Sequence, residues 1–217
     1  MISVPKTIGL STYETIKDDI VFGVLKPGER LKLDGLKLRY SASVSTLRES
    51  LSRLASDGLV EALEQRGFYV RPMSSSDLTE LAELRILLET TALRLSVQNG
   101  DAEWEGDIVA AHHKLQRLEE RIAAGEETPI DLWKRYDWAY HEMLVRGCNS
   151  DNLIGVLAGV YVKFIRYQVN LPTRWGDAAG REHREMLDAA LAGDSDRACT
   201  VLATHIRLSA EQAHAAL

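Results

Sequence analysis

The stretch that decides the fold of the N-terminal part runs from Leu33 to Gly58, LDGLKLRYSASVSTLRESLSRLASDG. Apolar residues at helical spacing lie on both sides of the polar segment SASVS, which predicts two short helices joined by a tight turn. Asp34 is placed to cap the first helix, and Ser45 or Thr46 to cap the second. Gly58 is a good end for the second helix. Two helices in this arrangement form a helix-turn-helix.

The segments on either side extend this pattern to a winged helix-turn-helix. A third helix is predicted over residues 12–23, before the pair. After the pair, the strand-like runs LVEAL (59–63) and FYVR (68–71) are joined by the hairpin signal EQRG (64–67). Three helices and a hairpin in this order are typical of a domain that reads DNA. The same pattern also fits a small helical domain with a solvated polar surface, and periodicity alone does not separate the two.

In the DNA-reading interpretation, the second helix of the pair enters the major groove by its N-terminal end. Hydroxyl groups at that end can donate to phosphates, and Arg48 is long enough to reach guanine. Arg66 lies at the hairpin tip, from which it can enter the adjacent minor groove. The predicted DNA-binding residues are therefore Ser43, Ser45, Thr46, Arg48, Arg53, Arg66 and Gly67.

The charge of the chain differs between its two parts. The 217 residues carry a formal net charge of −6, but residues 1–73 sum to +2 and the remainder to −8. The segment PMSSS (72–76) has the composition of a boundary. We therefore expect a slightly basic DNA-binding domain over 1–73, a linker over 74–76 and an acidic second domain over 77–217.

Composition also excludes several classes of protein. With 45% hydrophobic and 27% charged residues, the chain is not generally disordered. No apolar run approaches the roughly 20 residues of a membrane span, and the N-terminus lacks the basic start and apolar core of a secretory signal. The two cysteines form no disulfide framework, so we expect a cytoplasmic protein.

The second domain is predicted to be a bundle of about six helices, and three of these helices direct polar groups inward. Asp137 and His141 are four residues apart, so they share the apolar face that carries Trp133. His183 and His205 lie on the apolar stripes of two later helices. Buried polar groups need partners, and one carboxylate with three imidazoles suits Zn²⁺, Ni²⁺ or Mn²⁺. A hydrogen-bonded core network without a metal fits the same pattern.

Residues 25–70 resemble the winged-helix domain of the GntR family of bacterial transcription regulators. The resemblance lies in four blocks in register: LKPGERL (25–31), STLRESL (45–51), LASDGLV (54–60) and RGFYV (66–70). Val44 and Thr46 stand where that family commonly has Arg and Pro, which removes one expected contact to DNA. The resemblance implies a DNA-binding regulator.

Residues 77–217 resemble the FCD ligand-sensing domain of the FadR subfamily of these regulators. The matching segments are ELR (83–85) with Glu89, DWAYH (137–141), EH (182–183), AALAGD (189–194) and HI (205–206). The resemblance implies a divalent metal ion whose ligands are Asp137, His141, His183 and His205.

The resemblance also implies a binding site for an effector molecule beside the metal. It places Arg85 near the effector pocket, where a small carboxylate could bridge the metal and the guanidinium. Arg166 is a second candidate, on a side of its helix that the pattern allows at the surface. The segments GDAEWE (100–105) and GCNS (147–150) resemble the carbon-starvation-induced branch, whose members respond to small dicarboxylates.

The sequence thus predicts a mainly α, homodimeric transcription repressor that binds a palindromic operator under the control of a small carboxylate. Two alternatives remain: a metal-dependent enzyme with an accessory N-terminal domain, and a regulator whose inward histidines form a metal-free network. An enzyme needs a general base beside the metal. Glu142 directly follows His141, and Glu182 directly precedes His183. Because adjacent residues on a helix point about 100° apart, both glutamates are poor candidates for this base.

Overall fold

The computed structural model describes residues 8–171 and 177–217, which form two compact units that divide between Ser74 and Ser75. Residues 8–74 form three helices and a small sheet. The elements in chain order are α1 (Ile8–Val21), β1 (Arg30–Leu31), α2 (Leu33–Tyr40), α3 (Val44–Ser56), β2 (Val60–Leu63) and β3 (Gly67–Val70). Helix α3 packs against α1, α2 and β2. The predicted helix-turn-helix is the pair α2–α3, and the hairpin β2–β3 is the wing.

The sheet has the strand order β1-β3-β2, with both pairs antiparallel. Val60 pairs with Val70, and Arg30 on the edge strand pairs with Tyr69. The turn of the wing uses left-handed backbone at Gln65 and at Gly67, where φ is 92°. Glycine adopts this conformation without the steric penalty of a side chain. The turn holds the tip of the wing out in solvent.

The core of this unit forms where the apolar stripes of α1 and α3 meet. Ile16 and Ile20 of α1 and Leu47, Leu51 and Leu54 of α3 are almost completely buried. Burial of each such side chain contributes about 1.5–3 kcal/mol. The stripe of α3 therefore fixes which of its residues remain free to face outward.

The helix starts differ from those expected from the sequence. Ser43, rather than Ser45 or Thr46, caps α3, because its extended backbone lets its Oγ accept from the backbone N–H of Thr46 at 3.1 Å. Lys32 occupies the cap position of α2 without a capping hydrogen bond from its side chain, and Asp34 lies inside the first turn. In both cases the helix begins one or two residues before the predicted cap.

The described part of the second unit is all helical. Its helices are α4 (Ser75–Asn99), α5 (Ala102–Ala123), α6 (Ile130–Arg146), α7 (Asp151–Asn170), α8 (Asp177–Leu191) and α9 (Ser195–His214). The most extensive packing is between α4 and α9, α5 and α6, α8 and α9, and α4 and α7. A winged helix-turn-helix followed by a six-helix bundle is the mainly α fold that the sequence predicts. Residues 75 and 76 of the expected linker are the first residues of α4.

Helix α7 is central only over its second half. Most side chains from Val160 to Gln168 are buried, whereas Val156 is 57% exposed. The buried half carries two long polar side chains, Arg166 and Gln168, into the bundle.

None of the helices in the described ranges is long and apolar enough to span a membrane.

The cap of α3 is expected to stabilise the start of that helix. Replacing Ser43 with Ala removes the acceptor for the Thr46 N–H and should cost about 1 kcal/mol of local stability. Ser43→Asp should retain it, because Asp is an equally good cap. Hydrogen exchange at the first-turn amides of α3 measures the effect, with Ser52→Ala on the exposed middle of α3 as the control. Equal exchange in Ser43→Ala and the control would contradict this role.

Candidate metal centre and DNA interface

Four ligand-type side chains from three helices meet in the interior of the second unit. Helix α6 contributes Asp137 and His141, α8 contributes His183, and α9 contributes His205. One ligand atom from each lies within 4.8 Å of all the others, and all four residues are buried. The four-residue spacing on α6 brings its two side chains to the same face. The structure therefore brings together the complete set of four residues predicted from the sequence.

The inner edge of this cluster consists of atoms with no hydrogen-bond partner. Asp137 Oδ1, His141 Nε2 and His183 Nε2 are buried and unpartnered within the described structure. The Oδ1 atom lies 3.4 Å from His183 Nε2 and 3.9 Å from His141 Nε2. Leaving a buried acceptor unsatisfied costs about 1–3 kcal/mol, and here several lone pairs face one point. The residues present thus fit a bound cation.

A carboxylate behind each imidazole orients the ring. Glu89 Oε1 accepts from His141 Nδ1 at 2.6 Å, and Glu119 Oε1 accepts from His183 Nδ1 at 2.6 Å. Glu182 Oε2 accepts from His205 Nδ1 at 2.7 Å. A carboxylate only accepts, so each Nδ1 carries a proton, and Nε2 is the nitrogen that a neutral ring offers to a metal. This is the arrangement that commonly supports metal-bound histidine.

The sequence pattern does not identify these carboxylates by role. It disfavours Glu182 as a general base, yet Glu182 lies beside the centre and holds His205. Glu89 stands out in the sequence only as part of a family motif. Glu119 belongs to α5, 64 residues from His183, and no local spacing connects the two. Such pairs arise from packing between helices, so the periodicity of one helix does not reveal them.

Asp137 is held through its other oxygen. Its Oδ2 accepts from the Tyr161 hydroxyl at 2.8 Å and from Lys134 Nζ at 3.4 Å. The Lys134 ammonium also donates to Gln168 Oε1 at 2.9 Å. Burial lowers the pKa of Lys134 to about 8. Burial alone would raise the pKa of Asp137, but the Lys134 charge holds it well below its usual value. Asp137 is therefore an ionised ligand with Oδ1 turned toward the imidazoles.

Arg85 lies beside the cluster, bound to one of the orienting carboxylates. Its Nε donates to Glu89 Oε2 at 2.6 Å and its Nη2 to Oε1 at 3.3 Å. The guanidinium also lies over the rings of Tyr161, at 4.7 Å, and Phe164, at 5.0 Å. Because Glu89 also holds His141, Arg85 is linked to a metal-type ligand through one shared carboxylate. The family resemblance implies that Arg85 lies near an effector pocket, but the sequence does not predict this pairing.

The second effector candidate, Arg166, is not at the surface. It lies on the buried half of α7 and is 2% exposed. The apolar stripe of α7 is wider than the pattern suggests, so the face with Arg166 packs inside the bundle. The structure thus places both candidate arginines in the interior of the second unit.

The predicted DNA-binding residues of the first unit fall into three groups. Ser43, Ser45 and Thr46 lie together at the start of α3, where Ser43 Oγ is 2.8 Å from Ser45 Oγ and 2.9 Å from Thr46 Oγ1. Residues Arg48, Arg66 and Gly67 line two adjoining hollows between α3, β1 and the wing, of about 540 and 340 Å³.

Arg53 forms the third group and does not line these hollows. Its guanidinium lies 4.3 Å from the centre of the Tyr13 ring on α1. It is five residues after Arg48 on α3, which turns it to another side of the helix. By contrast, Arg30 lines both hollows, although the sequence does not single it out.

A DNA-reading unit joined to a helical unit with a buried ligand cluster defines a class of transcription regulators, and comparison with known proteins identifies the family. Residues 9–70 match the family of bacterial regulatory proteins called gntR, and residues 80–208 match the FCD domain. The chain belongs to the GntR family and carries an FCD domain.

Two curated relatives extend over most of the chain. The HTH-type transcriptional regulator BphR of Paraburkholderia xenovorans (strain LB400) is 39% identical over 92% of this chain and 82% of its own length. The HTH-type transcriptional repressor GlaR of Escherichia coli (strain K12) is 30% identical over 91% of each chain. The family and these relatives are transcription regulators, not enzymes, which excludes the metal-dependent enzyme as an alternative.

Solved structures share the fold. E. coli McbR/YncC superposes with a TM-score of 0.78 at 20% identity, covering 93% of this chain and 94% of its own. The Zn²⁺-bound FCD domain of TM0439 superposes with a TM-score of 0.54 at 16% identity, covering 66% of this chain and 95% of its own.

The carboxylate behind His183 is expected to raise the affinity of the cluster for a metal. Glu119→Gln keeps the size of the side chain but removes the charge that makes the imidazole a stronger ligand, so Zn²⁺ affinity should fall by about 10- to 100-fold. Competition with a chelating dye on metal-depleted protein measures this affinity. Glu120→Gln is the matched control, because Glu120 is the exposed neighbour on α5. Equal affinities in the two variants would show that Glu119 does not support the site.

Proposed function

We propose that this protein is a homodimeric transcription repressor whose affinity for its operator depends on a small carboxylate bound at a metal centre. One observation supports this function most strongly: the unpartnered ligand atoms of Asp137, His141 and His183 face one point inside the FCD domain of a GntR regulator. A hydrophobic core has no need of such a cluster, whereas a sensor of small polar molecules does.

The donor set supports a divalent transition metal. Asp137, His141, His183 and His205 would hold it, and three nitrogens with one oxygen suit Zn²⁺, Ni²⁺ or Mn²⁺. TM0439, whose FCD domain shares this fold, has been solved with Zn²⁺. A bound ion supplies Lewis acidity and positive charge at the centre of the bundle.

The electrostatics of the cluster favour an anionic effector. One carboxylate and three neutral imidazoles leave a divalent ion with a formal charge of +1, which attracts an anion. Arg85 is adjacent, and its Nε and Nη2 are engaged by Glu89 while the guanidinium stays desolvated. Arg166 is a second buried cation in the same unit. A small dicarboxylate offers one carboxylate for the metal and another for a guanidinium, which suits bidentate pairing.

The first unit supports the DNA-binding half of the function. A helix-turn-helix protein reads a palindromic site best as a two-fold dimer, because each half-site then receives an identical recognition helix. The relative GlaR is described as a repressor. Effector binding in the second unit and operator binding in the first would form two coupled sites, whose coupling is reciprocal.

Metal binding is expected to depend on His183 and not on histidine in general. Protein purified without a histidine tag should contain a stoichiometric transition metal, and His183→Ala should lose it, because the cluster loses one of its nitrogen ligands. Elemental analysis and thermal melting with and without added Zn²⁺ measure this, since a ligand of the native state raises the melting temperature. His113→Ala is the control, because His113 is exposed on α5. A folded wild type without metal, not stabilised by Zn²⁺, Ni²⁺ or Mn²⁺, would support the metal-free network instead.

Effector control is expected to require the loaded centre. An operator is first selected from a random duplex library, and its affinity is then measured by fluorescence anisotropy with a panel of small dicarboxylates. An effective compound should raise the melting temperature and weaken operator binding by about 5- to 150-fold. The corresponding diamides should have no effect, because they lack the charge. A response that persists in His183→Ala would place the effector away from the metal, and no response to any carboxylate would argue against this class of effector.

A further inference from the structure

The two hollows beside the wing form a cationic site at the meeting point of three elements. Both are lined by Arg30, Arg48, Arg66, Gly67 and Phe68. Arg30 comes from the edge strand β1, Arg48 from the first half of α3, and Arg66 from the turn of the wing. The larger hollow adds Glu64 and the smaller one adds Lys32 and Asp34. Each hollow therefore has a clear excess of positive charge.

The lining combines two chemical characters. Leu63, which is 40% exposed, and Ala62 and Phe68 supply apolar surface in the larger hollow. The arginines supply planar donors that match phosphate oxygens. An apolar surface beside cations suits a sugar–phosphate unit, whose deoxyribose is largely apolar and whose phosphate is anionic.

The three arginines lack carboxylate partners in the described part of the chain. None of them forms a salt bridge there, and Arg30 has only a distant contact with the Tyr69 ring, at 6.0 Å. Two other arginines of the same unit are engaged: Arg39 pairs with Asp19 at 3.0 Å, and Arg53 lies over Tyr13. Grouping unpaired like charges is unfavourable without an anion to offset it. The grouping thus points to an anionic ligand.

The geometry of a DNA duplex supplies that ligand. A helix in the major groove and a wing in the adjacent minor groove lie on opposite sides of one sugar–phosphate backbone, because the backbone is the wall between the two grooves. The hollow between α3 and the wing is therefore where that backbone passes. Arg30 lines it from β1, the edge strand that pairs with β3.

We propose that Arg30, together with Lys32, binds a phosphate of the DNA strand that passes between α3 and the wing. This inference rests on the proposed DNA binding by α3 and the wing, and it adds a phosphate-binding group that belongs to neither element. A bond to phosphate fixes the position of the protein on the duplex and carries no sequence information. Arg30 therefore sets affinity and register, while Arg48 contributes the selection of bases.

The test compares two duplexes, the selected operator and a random-sequence duplex, over a series of salt concentrations. Arg30→Gln should lower the slope of log affinity against log salt by about 0.9 for each phosphate that the protein no longer neutralises. It should weaken binding to both duplexes by the same factor, so their affinity ratio stays constant. Arg48→Gln should instead reduce that ratio, and Arg30→Lys should restore the slope because it restores the charge.

Lys26→Gln is the matched control. Lys26 is exposed but precedes Gly28, whose N–H donates to Val70 O at the end of β3 opposite the wing tip. Thermal melting checks that each variant is folded. The inference is overturned if Arg30→Gln behaves as Lys26→Gln does, or if it changes the affinity ratio of the two duplexes. Failure of the wild type to bind either duplex in a salt-dependent way would overturn the DNA-binding function as well, so the two failures are distinguishable.

Discussion

The second unit depends on one constraint: an imidazole buried in a helical bundle has two nitrogens, and each needs a partner. The structure satisfies the outer nitrogen of His141, His183 and His205 with a carboxylate of its own. The inner edge of the cluster then presents lone pairs to one another around Asp137. Between neutral imidazoles and the Asp137 carboxylate, lone pairs at such distances would repel, and a cation among them would offset that repulsion. Ligands and orienting carboxylates together come from five of the described helices, namely α4, α5, α6, α8 and α9.

The buried charged groups around the centre also need partners. Asp137 and the three orienting glutamates supply four negative charges, and Arg85 and Lys134, which bind two of these groups, supply two positive ones. The excess of negative charge among these six groups favours a cation at the centre. The Glu89 carboxyl illustrates how strongly the pairs are bound: burial would raise its pKa, but Arg85 and His141 hold the pKa at about 2. Groups in such balance tolerate burial, whereas an isolated carboxylate would take up a proton.

The sequence predicts the features of the site that depend on the residue spacing within one helix. The spacing of Asp137 and His141 places both on one face of α6, and the apolar stripes of α8 and α9 place His183 and His205 inside. What it does not predict depends on contacts between elements. Glu119 is a surface-type residue by pattern, and only the packing of α5 against α8 brings it to His183. Similarly, the role proposed for Arg30 depends on the sheet order, in which β1 pairs with β3 and not with β2, the next strand in the sequence.

Glu89 serves two partners at once, and this sharing has a thermodynamic consequence. Its Oε1 accepts from both His141 Nδ1 and Arg85 Nη2. The Lewis basicity of an imidazole increases with the negative charge available to its N–H. An anion that draws Arg85 toward itself would leave more of the Glu89 charge for His141, whose Nε2 would then be a stronger metal ligand. Occupancy at the guanidinium and the strength of the nitrogen ligand would thus increase together, through a path of three side chains.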